Sequence, residues 1–118
     1  MDFVQADRLR RKVAEEMRRV FSQVDLLLVP SLRDEMLMIT NFTGHPSLTL
    51  RAGFVEVNKA RSDWARDPNN PVPTFATPRR VPYGVTLIGR LFDEGTLCHA
   101  GIALERAFGV ADERPPGF

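Results

Sequence analysis

The stretch Tyr83–Gly109, YGVTLIGRLFDEGTLCHAGIALERAFG, constrains the fold more than any other part of the chain. Val85, Thr86, Leu87 and Ile88 form a β-branched-rich run between Gly84 and Gly89, the pattern of a short strand covered on both faces. Asp93 stands where a helix N-cap belongs, with Glu94 in the first turn, where the helix dipole favours an acid. Leu97, Gly101, Leu104 and Phe108 recur at helical spacing, and Gly109 follows where a left-handed C-cap is wanted. A strand and helix of this kind cannot stand alone. Both strand faces and the helix stripe need partners.

The rest of the chain offers some. Residues from about 2 to 23 read as a long helix, with Leu9, Val13, Met17, Val20, Phe21 and Val24 on one stripe and most of the arginines off it. Glu15 and Arg19 are spaced for an i,i+4 ion pair. Asp25–Pro30, DLLLVP, is an apolar run closed by proline and reads as a buried strand. Met36–Ile39 fits a helical turn and an extended segment equally well. Asn41–Pro46 is turn chemistry, and Ser47–Gly53 alternates as a strand with one wetter face. Residues 55–82 carry five prolines and little hydrophobic period, so a long loop anchored by Trp64 is expected there. Residues 110–118 read as a surface tail.

Strands near 25–30, 47–53 and 84–89, with helices near 2–23 and 93–108, define an α/β class. The expected sheet is partial, mainly parallel or mixed, with about three strands. Two open edges and faces that two helices barely cover suggest part of a larger sheet.

At 118 residues the length allows one small domain. A net charge of +1 supplies no field for nucleic acid or an anionic membrane. The arginines of the first helix are interleaved with acids, so a solvated face accounts for them better than RNA does. No apolar run approaches a membrane span and no signal-peptide pattern opens the chain. A single cysteine excludes an internal disulfide framework and favours the cytoplasm.

Candidate chemistry is sparse. No phosphate loop, nucleophile elbow or metal-ligand spacing is present, so neither cofactor nor metal is expected. His45, before a proline, suits a backbone-bonding role, His99 a solvent-facing one, and Cys98 a small buried hydrophobe. Lys12 and Lys59 are the only lysines, and neither is placed for a Ser–Lys pair. Asp34 and Glu35, just past the first strand, are the acids best placed for a pocket at strand carboxyl ends.

Read together, Asn41–Leu50 (NFTGHPSLTL), Gly53-Phe54 and Gly84–Glu94 (GVTLIGRLFDE) with Thr96-Leu97 resemble the C-terminal part of the amidase signature family. That family commonly carries an N-(x)-(x)-G-x-P turn, a G-F pair and a G-x-x-L-I-G-R-x-F-D-E-x-T-L ending. Asp25–Pro30 is similar to its D-x-L-L-x-P strand, and Gln5-Ala6 with Arg8-Leu9-Arg10 to the helix before it. The resemblance covers nearly the whole chain except residues 55–82, which are longer than the usual link.

This resemblance implies a segment of the larger amidase-type α/β/α fold, within an enzyme that hydrolyses a C–N amide bond through a Ser–Ser–Lys acyl-enzyme route. No position here matches the triad, so the catalytic residues are expected outside this chain. Asp34 is the implied substrate-binding residue, across a connection after Pro30 that is shorter than in amidotransferase-type members. The implied partners are the N-terminal part of the enzyme and a small-molecule amide. The alternative is a non-catalytic interaction module that pairs its open sheet edges in a homo-oligomer.

Overall fold

The structure, a computed structural model, describes residues 2–31, 34–59, 69 and 72–118. Its elements are α1 (Phe3–Phe21), β1 (Leu26–Pro30), α2 (Asp34–Thr43), β2 (Ser47–Lys59), β3 (Thr74–Gly89) and α3 (Glu94–Phe108). The three strands form one sheet in the order β1-β3-β2.

The α/β class and the three-stranded sheet agree with expectation, but the strand directions do not favour parallel pairing. Both pairings in the sheet are antiparallel. The cause is the segment read as a loop over 55–82. Strand β2 continues to Lys59 and β3 begins at Thr74, so the two form an extended antiparallel hairpin instead of a crossover. Strands β1 and β2 therefore do run parallel to each other, with β3 inserted between them. Pro78 and Pro82 are tolerated because, among the described residues, the outer part of β3 pairs with β2 alone, β1 pairing with Val85–Gly89. Trp64 lies outside the described residues.

Register divides the side chains between two faces. Leu48 pairs with Leu87 and Leu50 with Val85, which places these four on one face. Helix α3 covers them with Leu97 and Gly101, both buried. Its ends follow the sequence pattern: the Asp93 side chain accepts from the Thr96 amide at 3.4 Å, and Gly109 caps the helix at φ 62°. The opposite face presents Ile88, Leu27 and Val29 to Met17 and Phe21 of α1 and to Met36 and Ile39 of α2. Helices thus lie on both sides of the sheet. Fully burying side chains such as Phe21 or Ile88 is worth roughly 1.5–3 kcal/mol each.

The apolar stripe expected along α1 is buried only toward its C-terminal end, at Met17 and Phe21. Leu9 is 53% exposed and Val20 40%. Toward its N-terminus the helix meets α2 through Arg10, whose guanidinium lies 5.2 Å from the Phe42 ring centroid. Arg19 pairs with Glu16 at 2.9 Å in place of Glu15, one turn position closer. Helix α2 also runs further than the turn chemistry suggests. Thr40 Oγ1 donates to the Met36 carbonyl and Thr43 Oγ1 to the Ile39 carbonyl at 2.8 Å, so both hydroxyls bond back onto the helix. The turn proper starts at Gly44, at φ 81°.

The hairpin arm is dressed with cation–π pairs. Arg80 lies 3.6 Å from the Phe54 ring centroid and Arg79 3.9 Å from that of Phe75. The C-terminal tail is fastened to it by Arg80–Glu113 at 2.8 Å. The Cα radius of gyration is 17.9 Å, against roughly 13–14 Å for a compact domain of this length. Large apolar side chains stand in the open, among them Leu28 at 57% and Phe92 at 92% exposure.

Candidate functional site

Hydroxyl side chains gather at the carboxyl end of β1, where the chain leaves the sheet for α2. Thr86 stands near the C-terminal end of β3, opposite Val29 on one side and Thr49 on the other. Its Oγ1 lies 2.9 Å from Ser31 Oγ and 2.9 Å from Thr49 Oγ1. The three hydroxyls make one chain across all three strands, anchoring the first residue past β1. Gly84 makes the approach possible, because a Cβ there would sit 2.9 Å from Ser31 Oγ and 3.3 Å from the Leu50 carbonyl oxygen. Ser31, Met36, Leu37, Thr40 and Thr86 line a narrow crevice between α2 and the sheet.

Asp34, the residue implied to hold substrate, opens α2 three positions after Ser31. Its backbone therefore starts the helix that leaves this end of the sheet. Ser47 also borders the crevice. Neither serine makes a hydrogen bond to a lysine or histidine among the described residues, so these hydroxyls lack the base a nucleophile needs. Lys59 closes β2 in the hairpin arm, and Lys12 lies exposed on α1. Among the described residues no group of three or more His, Cys, Asp or Glu is arranged to hold a metal ion.

The remaining residues singled out by sequence fall elsewhere. Cys98 is exposed, not the buried hydrophobe its position suggested, because it sits beside the α3 stripe and not on it. His99 is exposed as its position predicts. His45 is buried, and its partner is a side chain: Nδ1 lies 2.6 Å from Thr43 Oγ1. Its ring stacks on Phe21, with centroids 5.1 Å apart and planes 14° from parallel. Burial lowers its pKa below the ordinary histidine value.

His45 also borders an open cleft of about 790 Å³, which sequence reading missed. The cleft lies between the C-terminal half of α1, the Gly44–Pro46 turn and Arg90, at the opposite end of the sheet from Ser31. Arg18, Arg19 and Arg90 line it together with Glu15. Arg90 is far in sequence from the α1 residues, and only the fold brings them together.

Comparison with known proteins gives this geometry a family context. Over 105 residues, 89% of this chain, it is 31% identical to the A subunit of glutamyl-tRNA(Gln) amidotransferase from Rhodospirillum rubrum, 20% of which is covered. It is 35% identical to the protein of the same name from Parvibaculum lavamentivorans over 107 residues, 89% of this chain and 21% of that one. AmiD of Mycobacterium tuberculosis, named as a candidate amidase, is 34% identical over 110 residues, 91% of this chain and 22% of that protein. The chain looks like a C-terminal part of the amidase signature family. It spans about a fifth of the length of the curated relatives it matches. No family model matches it, and no solved structure does. Among the described residues no helix is long and apolar enough to cross a membrane.

Proposed function

We propose that this chain is the C-terminal segment of an amidase-type hydrolase of C–N bonds, and that its nucleophile and base are supplied by sequence beyond these residues. The observation that carries the reading is the similarity of nine-tenths of the chain to about a fifth of each much longer relative. The role of the segment is structural at the reacting centre. The chain Ser31–Thr86–Thr49 fixes the carboxyl end of β1. Helix α2 opens at Asp34, and in this reading Asp34 belongs to the wall of the substrate pocket and holds the polar end of a small amide.

In the complete enzyme a lysine would draw a proton through a bridging serine, and a second serine would attack the amide carbonyl to form an acyl-enzyme. Neither metal nor organic cofactor enters that route. Two further features fit a larger body. Strand β1 is an edge whose Leu28 is 57% exposed, and among the described residues α3 packs mainly against β2 and β3.

The test is a chimera. The C-terminal fifth of the Rhodospirillum rubrum protein is replaced by this chain, and amide hydrolysis is followed with its partner subunits present. Activity within about tenfold of the parent supports the reading, and an Asp34→Asn chimera should then raise KM more than it lowers kcat. A chimera that folds and is inert, beside a free chain that forms a discrete homo-oligomer, would favour the interaction-module reading.

A further inference from the structure

The cleft beside His45 has a chemistry of its own. Its cationic groups come from separate elements: Arg18 and Arg19 from α1, and Arg90 from the turn after β3. Arg90 is held in place by Asp25 at 3.0 Å and by the Val24 carbonyl at 3.2 Å, and its guanidinium keeps further N–H donors to offer. Arg18 has no ion-pair partner among the described residues. Glu15 is the acid among the lining residues, while Glu16 is taken up by Arg19.

His45 contributes an acceptor, and the hydrogen-bond pattern identifies which nitrogen. Thr43 Oγ1 donates its single hydrogen to the Ile39 carbonyl at 2.8 Å. Both contacts are hydrogen bonds when the same oxygen accepts from His45 Nδ1, 2.6 Å away. This arrangement puts the ring proton on Nδ1, and burial disfavours a second one, which leaves Nε2 with a free lone pair. No buried side-chain nitrogen or oxygen among the described residues lacks a partner. Nε2, with no hydrogen bond of its own, therefore reaches open space, and the open space His45 borders is the cleft.

We propose that this cleft binds a small carboxylate bearing an O–H or N–H donor beside the carboxyl group. Arg18 and Arg90 hold the carboxylate, and His45 Nε2 accepts from the donor. Phe21 and Leu91 give the ligand's carbon skeleton an apolar wall. The site lies at the other end of the sheet from Ser31 and Asp34, so it stands independently of the amidase reading.

Lactate and propionate are the probes, since they differ by the donor hydroxyl alone. Each is titrated into the 15N-labelled chain and the backbone shifts of the cleft residues are followed. Lactate should bind about fivefold tighter than propionate, the worth of one hydrogen bond. Arg18→Met should weaken both by a similar factor. His45→Phe keeps a ring against Phe21 and should bring the two affinities together. Equal affinities in the unaltered chain, or shifts that never saturate, would overturn the proposal. Long-range 1H–15N correlation on the unaltered chain is a second check that needs no variant. A proton on Nε2 in place of Nδ1 would remove the acceptor and the proposal with it.

Discussion

Gly101 of α3 lies so close to Leu48 of β2 that a methyl group on the glycine would overlap the leucine Cδ2. The helix can approach the sheet this closely only because position 101 has no side chain. Leu50 Cδ1, 3.9 Å from the same point, completes the contact.

Gly101→Ala should therefore destabilise the chain even though alanine is the better helix former. Overpacking costs roughly 1–3 kcal/mol and the propensity gain returns about 1 kcal/mol, so a net loss near 1 kcal/mol is expected in urea unfolding. Leu48→Ala in the same molecule should recover part of it, giving a double-mutant cycle with favourable coupling. A Gly101→Ala chain that melts higher than its parent would show that α3 docks less tightly.

His45 predicts an acid-side loss of stability. Burial lowers its pKa in the folded chain, while the unfolded chain titrates near the ordinary value of about 6.5. Above that value both states are neutral and nothing is lost. As pH falls below it the unfolded chain takes up the proton first, and stability declines until the folded pKa is passed. His45→Phe keeps the stack on Phe21 without the titration. Urea midpoints between pH 8 and 5 should fall for the parent more than for the variant, and parallel curves would rule out His45 as the source.

Gly84 and Thr86 test the hydroxyl chain. Gly84→Ala should cost about 1–3 kcal/mol, because the Leu50 carbonyl it meets is backbone and cannot swing aside. Ser31→Ala should relieve this only in part, since Ser31 Cβ, at 3.2 Å from the same point, remains. Thr86→Val keeps the shape and removes the hub of the chain, for a loss of about 1 kcal/mol. The comparison is again made by urea unfolding. A neutral Thr86→Val would mean that the hydroxyls are equally well served by water.

What the sequence made legible was local. The Asp93 and Gly109 caps, the Val85–Ile88 strand and the buried Leu97–Gly101 stripe each follow from residues within a few positions of one another. Strand direction was not legible, because it depends on residues 74–82 pairing with 53–59, and prolines there masked an edge-strand pattern. The helical run of α2 was hidden for a related reason. Thr40 and Thr43 read as turn formers until their hydroxyls are seen bonded to carbonyls one turn back. Of the candidate site, the place of Asp34 just past β1 was legible from position. The Ser31–Thr86–Thr49 chain and the arginine-lined cleft needed the register and the fold.

The last prediction is that this chain alone hydrolyses no amide. Acyl transfer needs an activated nucleophile within hydrogen-bond reach of its base, and donors aimed at the developing oxyanion. Ser31 spends its hydroxyl on Thr86, and no lysine stands near it among the described residues. Cys98 is exposed on α3, and its neighbour in sequence, His99, projects about 100° further round the helix. His45 has a free acceptor nitrogen but faces arginines and a glutamate, with Ser22 as the lining hydroxyl at the mouth of α1. Ser22 Oγ already donates to the Arg19 carbonyl at 2.7 Å, so it has no proton to give His45. Turnover of an aryl amide or of glutamine by the purified chain should match buffer. A Ser31→Ala, Ser47→Ala, Cys98→Ala variant should behave the same way. Hydrolysis by the unaltered chain that the triple variant loses would put a nucleophile among these residues. It would also remove the need for catalytic groups supplied from beyond them.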